Sequence, residues 1–189
     1  MAGASPSFGE VHLVRTLLVL SQGKVGRKNL VKILGLGEGS VRTIIKKLSK
    51  AGSINSKPRG HELTAKGKKV VDDYLKKFTM PQLADLDIAP GKESCVVVLH
   101  KAAGKITTGL NEREIAVKSG ADGAVLVKKI SKGLVFPCSD IQLNDYPETK
   151  EFLDEMDLSE DDVVVIGFSD SFEKAVEGAL SIALDVTGI

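Results

Sequence analysis

The sequence predicts an α+β protein in two parts, a mostly helical N-terminal part closed by a short hairpin and a C-terminal two-layer sandwich with a mainly antiparallel sheet. Three observations predict it. Apolar residues recur at helical spacing through the first 78 positions, and beyond residue 92 short valine-rich runs alternate with capped helical stretches. Charge divides between the same two parts: residues 1–80 carry 16 Lys and Arg against 5 Asp and Glu, a net of +11, whereas residues 81–189 carry 10 against 20, a net of −10. The net charge of +1 for the 189-residue chain conceals this split, and a basic half of that kind suits a polyanionic partner.

The first predicted helix covers Phe8 to Ser21, with Val11, Val14, Leu17, Leu18 and Leu20 apolar and Ser21-Gln22-Gly23 as its stop. A second, short helix carries Leu30, Val31, Ile33 and Leu34 and ends at Gly35, where a left-handed cap costs glycine little. The third has Val41, Ile44, Ile45 and Leu48 at i, i+3, i+4 and i+7 and stops at Ala51-Gly52. Two helices joined by a tight glycine-containing turn make a helix-turn-helix candidate.

The opposite face of the third helix carries Ser40, Arg42, Thr43, Lys46, Lys47 and Lys50. Short hydroxyls and an Arg near a helix N-terminus suit base edges in a major groove, and lysines further along suit phosphates. Glu38 in the first turn either accepts from a cytosine amino group or favours the positive helix end.

Next, Ser53 to Lys57 and His61 to Leu63 read as two strands around a Pro58-Arg59-Gly60 turn, and Thr64 caps a fourth helix running to about Phe78. Over residues 8–78 this order, with Ser40 to Leu48, Lys50-Ala51-Gly52-Ser53-Ile54 and Leu63-Thr64-Ala65-Lys66-Gly67, resembles prokaryotic winged helix-turn-helix transcriptional regulators. The resemblance implies that residues 40–50 form the recognition helix, and that Lys57, Arg59 and His61 form a wing touching backbone or minor groove. Double-stranded DNA is expected rather than RNA, because single-strand readers stack bases on exposed aromatics and Phe8, Tyr74 and Phe78 all fall at expected core positions. One winged helix reads a half-site, so a homodimer is expected.

Residues 79–91 contain two prolines and no clear periodicity and are expected to be a linker between a domain at 1–78 and another at 92–189. Cys95 to Leu99 is a continuous apolar run and hence a buried strand, with Lys105 to Thr108 as a brief second one. Asn111 and Glu114 suggest a capping box that opens a helix ended by Gly120. Ala124 to Ile130 and Leu134 to Phe136 form a hairpin, Pro147 to Met156 a short helix, Val163 to Phe168 a strand and Phe172 to Val186 the last helix. A ferredoxin-like or related sandwich fits this order. The whole chain is similar to an uncharacterised archaeal family, a winged helix followed by a domain of unknown function. Arg113 to Ala116, Gly120 to Ala124 and Gly133 to Pro137 carry that similarity.

Signs of catalysis are sparse. Leu34 to Val41 is glycine-rich but joins two helices instead of following a strand, and it completes no phosphate-loop pattern. His100, Cys95 and Cys138 read as packing residues rather than metal ligands, and Asp140, Asp145, Glu148 and the Asp154 to Asp162 run as a solvated acidic surface. Gly120, Asp122 and Gly123 are the candidate effector pocket, because a turn between a helix end and a strand exposes backbone donors; the plainer reading is a helix cap and turn. Two cysteines are too few for a disulfide framework, and no apolar run reaches the roughly 20 residues that span a bilayer.

The sequence therefore leads to the expectation of a cytoplasmic DNA-binding transcriptional regulator without cofactor or enzymatic activity, with a C-terminal dimerisation and effector domain. The alternative is a winged-helix fusion whose C-terminal domain is a small-molecule enzyme or an RNA-associated module.

Overall fold

The computed structural model describes residues 8–89, 91–139 and 141–189. The chain forms two compact units, the first ending at Leu75 and the second beginning at Lys76. The fold is α+β, and every strand ladder among the described residues is antiparallel.

In the first unit, α1 (Glu10–Ser21), α2 (Arg27–Leu34) and α3 (Glu38–Lys50) precede the hairpin β1 (Ile54–Lys57) and β2 (Gly60–Leu63), and α4 (Ala65–Leu75) follows. The helical periodicities identify the core: Val14, Leu17 and Leu18 of α1, Leu30 and Leu34 of α2, and Val41, Ile44 and Leu48 of α3 are buried together with Ile54, Leu63 and Val71. Each such side chain contributes about 1.5–3 kcal/mol on leaving water. Gly35 caps α2 at φ 63°, the left-handed geometry its position suggests. The hairpin pairs Ile54 with Leu63 and Lys57 with Gly60, which leaves Pro58-Arg59 as its tip.

Two glycines close this unit by having no side chain. Gly60, at φ 127°, lies where a Cβ would stand 3.0 Å from the carbonyl oxygen of Val25. That contact matters because Val25 and His61 exchange backbone hydrogen bonds of 3.1 and 2.8 Å, which adds a third extended segment beside the hairpin. Gly67, in the first turn of α4, sits against the carbonyl oxygen of Ser53, and a Cβ there would lie 2.0 Å from it. Thr64 is the expected cap: its hydroxyl accepts from Gly67 N–H at 3.0 Å and donates to Gly52 O at 2.7 Å. The helix nevertheless ends at Leu75. Phe78, expected on its apolar face, is fully buried in the second unit and bridges Leu99.

The second unit is a five-stranded sheet in the order β3-β4-β7-β5-β6, built from β3 (Gln82–Ala84), β4 (Glu93–Leu99), β5 (Gly123–Ile130), β6 (Gly133–Val135) and β7 (Val163–Ser169). The expected linker is thus part of this unit: β3 pairs with Ser94 to Val96, and Leu86 and Ala89 are buried. A three-residue edge strand with Leu83 53% exposed carries almost no alternation for a sequence pattern to register.

Strands β4 and β5 are connected through α5 (Leu110–Lys118) and run parallel with β7 between them; β6 and β7, connected through α6 (Pro147–Asp154), run parallel with β5 between them. A ferredoxin-like sheet would attach the β5-β6 hairpin through β6 to β4. Here β5 joins β7, which gives the related rather than the ferredoxin-like order. Helix α7 (Phe172–Thr187) packs closely on the sheet because Gly167 has no Cβ, which would fall 2.6 Å from Ala175 O.

The other sheet face is also covered: Val96, Val98, Val127, Val164 and Ile166 form a cluster with Leu153 of α6 and Leu143. Both side-chain parities of β4 and β7 are apolar, so each face needs its own cover. The brief strand expected at Lys105 to Thr108 is absent from the sheet, and a 3₁₀ turn covers Ala103–Lys105; both edges of β4 are already taken by β3 and β7. Asn111 does not cap α5 either. Gly109, at φ 80°, is the N-cap, one residue before the helix opens at Leu110. No helix among the described residues is long and apolar enough to cross a membrane.

Candidate nucleic-acid interface

Helix α3 has two chemically distinct faces because its apolar residues fall at i, i+3 and i+7. Val41, Ile44 and Leu48 turn inward, which sends Arg42, Thr43, Lys46, Lys47 and Lys50 outward, all exposed. Arg42, Lys46 and Lys50 stand at i, i+4 and i+8 and so form one stripe along the helix. None of the three has an ion-pair or hydrogen-bond partner for its side chain among the described residues. Lys50 lies in the last turn, at the negative end of the helix dipole, where a cation is favoured.

The other residues expected on this surface are committed to the protein itself to differing degrees. Lys47 lies over the Phe8 ring, 5.2 Å from its centroid. The Thr43 hydroxyl donates back to Gly39 O at 2.9 Å, and Ser40 is half-buried with a partner of its own. Glu38 pairs with Arg27 at 3.6 Å, which offsets the one carboxylate at the start of the helix.

In the hairpin, Glu62 pairs with Lys57 and, at 3.5 Å, with Lys24. Hydrogen bonding from Lys57 holds the Glu62 carboxyl below its ordinary range against a smaller opposing effect of burial. Arg59 stands exposed at the hairpin tip without a side-chain partner among the described residues. His61 lies behind it, with Nδ1 2.9 Å from the Ser56 hydroxyl, which is itself 3.3 Å from that of Ser49 in α3. Burial first, and then the charge of Arg27, push the His61 pKa below 6.5, which disfavours the charged form of the ring. Its role is to connect β2 with α3 through two serines.

One contributor escaped the sequence reading. The Lys66 ammonium donates to Ala51 O at 2.7 Å and ties the C-terminal end of α3 to α4. The only hint in the sequence is a lysine two residues beyond the Thr64 cap.

The candidate effector turn makes ion pairs with its neighbours. Asp122 pairs with Lys92 at 2.7 Å and accepts from the Ser169 hydroxyl at 3.4 Å, and Lys92 also binds Asp170. Hydrogen bonds first to Asp122 and then to Asp170 push the Lys92 pKa up to about 12, and Lys92 in turn holds Asp122 down. A Cβ on Gly123 would meet the Phe168 ring at 2.6 Å, and one on Gly120, at φ 100°, would meet the Lys174 side chain at 3.2 Å. Gly123 is thus packed against Phe168, whereas Gly120 and the ion-paired Asp122 are exposed.

The remaining polar candidates are dispersed. Cys95 is buried and Cys138 exposed; His100 lies 3.6 Å from Asp162, which is buried and accepts from Lys101 N–H and Ser159 N–H. Asp154 pairs with Lys150, and Asp140 lies outside the described residues. Among the described residues no group of three or more His, Cys, Asp or Glu side chains is placed to hold a metal ion.

Two family profiles match separate stretches of the chain. The profile of a family described as PH0730-like, N-terminal domain, matches residues 11–69. The solved structure of hypothetical protein PH0730 from Pyrococcus horikoshii OT3 is similar along almost the whole length, at 29% identity and a TM-score of 0.82, covering 96% of this chain and 94% of that one. No curated protein matches. The profile of the domain of unknown function DUF4443 matches residues 90–186, more than half of the sequence, and the chain belongs to that family.

Proposed function

We propose that this protein is a DNA-binding transcriptional regulator of the cytoplasm, in which α1 to α4 and the β1-β2 hairpin act as a winged helix on duplex DNA. In this reading the acidic C-terminal domain dimerises and senses a small molecule. The observation that carries it is the stripe of Arg42, Lys46 and Lys50, three cations spaced one turn apart on an exposed helix face and without a side-chain partner among the described residues. Unpaired cations bring the full gain of counterion release to a phosphate contact, whereas a lysine already paired with a carboxylate must first give up that partner.

Arg59 at the hairpin tip supplies a fourth contact, to the backbone beside the groove that α3 enters. Lys47 and Lys57 act in a supporting capacity, since one is engaged with Phe8 and the other with Glu62. A dimer supplies the second half-site.

Gel-shift titrations of the full chain on random duplex across a salt series test the reading. About four phosphate contacts per protomer give a log-log slope near −0.9 for each. The triple variant Arg42→Ala/Lys46→Ala/Lys50→Ala is expected to flatten the slope by about three such units. Binding that is indifferent to salt, or unchanged in that variant, would defeat the proposal. Sedimentation equilibrium tests the dimer separately, and a monomer at micromolar concentration would remove that part.

A further inference from the structure

The open edge of β5 combines several features that the regulator reading leaves unused. Strand β5 pairs with β7 from Gly123 to Lys128, but its other side meets β6 only at Lys128, Lys129 and Ile130. Among the described residues Gly123 to Val127 therefore present an edge without a strand partner, and around Ala124 to Leu126 a cavity of about 360 Å³ wraps that edge. On one side of the strand it is walled by Ile88, Phe136 and Tyr146, and on the other by Gly109, Leu110 and Arg113.

Its chemistry is specific. The walls are mostly apolar, with Phe136 and Tyr146 locked edge to face, their ring centroids 6.2 Å apart. Leu110 is 66% exposed at the rim, a large apolar side chain left in water one residue after the Gly109 turn. Arg113 is the only charged residue in the described lining, and its side chain has no partner among the described residues; nor has the Tyr146 hydroxyl. Among the described residues the lining thus combines an apolar body of small-molecule size with a guanidinium that has no partner, a combination that suits a ligand with one negative charge at the end of a hydrophobic frame.

We infer that this cavity binds a small organic acid, an aromatic or aliphatic monocarboxylate whose carboxylate pairs with Arg113 while its hydrocarbon part packs against Phe136, Tyr146 and Leu110. The inference rests on the sensing half of the proposed function and gives it a location at the β5 edge, away from the Gly120 to Gly123 turn. The Arg113 guanidinium supplies the charge complementarity, and the volume of about 360 Å³ suits a small molecule.

Titration calorimetry of the full chain with phenylacetate and with octanoate tests it, with phenylacetamide as the uncharged counterpart. Saturable binding of at least one acid, at one per chain, is expected. Arg113→Ala should weaken it by roughly tenfold or more, the loss expected for a charge-assisted hydrogen bond. Leu110→Ser should also weaken it, and since both residues are exposed neither change threatens the fold. Arg42→Ala should bind the acid like the unaltered protein, so a failure of DNA binding and a failure of this site are separately visible.

No saturable binding of either acid, equal binding of phenylacetamide, or an unaffected Arg113→Ala variant would overturn the inference. So would binding of an extended apolar peptide in place of the acids, which would assign the edge to strand addition.

Discussion

Asp87 caps a helix that begins sixty residues later in the chain. Its carboxylate accepts from the Thr149 hydroxyl at 2.6 Å, from Thr149 N–H at 2.9 Å and from Glu148 N–H at 3.2 Å, so the first-turn donors of α6 are satisfied by the segment expected to be a linker. Burial pushes this carboxyl up, but the combined hydrogen bonds from Thr149 and Glu148 outweigh it and hold the pKa below 3.8. The contact attaches residues 79–89 to the second unit in addition to the pairing of β3 with β4.

A depressed folded-state pKa means that the stabilisation from Asp87 is fully present above the ordinary value of 3.8 and is lost as pH falls through the lower, folded-state value. Asp87→Ala is expected to cost about 1 kcal/mol at pH 7, the usual value of a lost cap. Asp87→Asn should remove part of the acid sensitivity. Chemical denaturation at pH 7 and pH 3 checks both, and an unchanged midpoint for Asp87→Ala would show that the cap contributes nothing.

Gly67→Ala should destabilise the first unit even though alanine is the better helix former by about 1 kcal/mol. The new Cβ would lie 2.0 Å from Ser53 O, an oxygen fixed by the Thr64 N–H at 3.0 Å, and overpacking of this kind costs about 1–3 kcal/mol or more. A lowered denaturant midpoint is the expected outcome; a raised one would mean that α4 can shift away from the hairpin.

Lys46→Ala and Lys47→Ala, neighbours in sequence, should separate in effect. The first removes a cation with no partner among the described residues and is expected to weaken duplex binding and flatten its salt dependence by about 0.9 in slope. The second releases the Phe8 ring and should cost about 0.5–1 kcal/mol of stability with the smaller effect on binding. Equal effects of the two on DNA would remove the distinction.

Thiol labelling distinguishes the two cysteines. Cys138 is exposed, with Sγ 3.4 Å from Thr107 O, whereas Cys95 lies in the buried run of β4. One thiol per native chain should react rapidly with a disulfide reagent, and two after denaturation. A native stoichiometry of two would indicate that the sheet opens around β4.

Local pattern made much of this architecture legible. The four N-terminal helices and the hairpin follow from apolar spacing, the Gly35 and Thr64 caps and the Pro58-Arg59-Gly60 turn, each a short-range signal. The stripe of Arg42, Lys46 and Lys50 was legible for the same reason, since burial of Val41, Ile44 and Leu48 compels the opposite residues outward. The β5 edge cavity was not legible: Ile88, Arg113 and Tyr146 come from three separate stretches, and the weakly periodic β3 gave its segment the look of a linker.

The sequence by itself determined the division of charge, the α+β class, the faces of the helices and the candidate basic surface, because these depend on residue type and on spacings shorter than two helical turns. Only the tertiary structure decided which cations on that surface are engaged within the protein, since the Phe8 ring under Lys47 lies 39 residues away and is known only once the chain has folded. It likewise decided the β4-β7-β5 order, because Val125 is adjacent to Ile166 only through long-range strand pairing, which residues neighbouring in the chain do not encode.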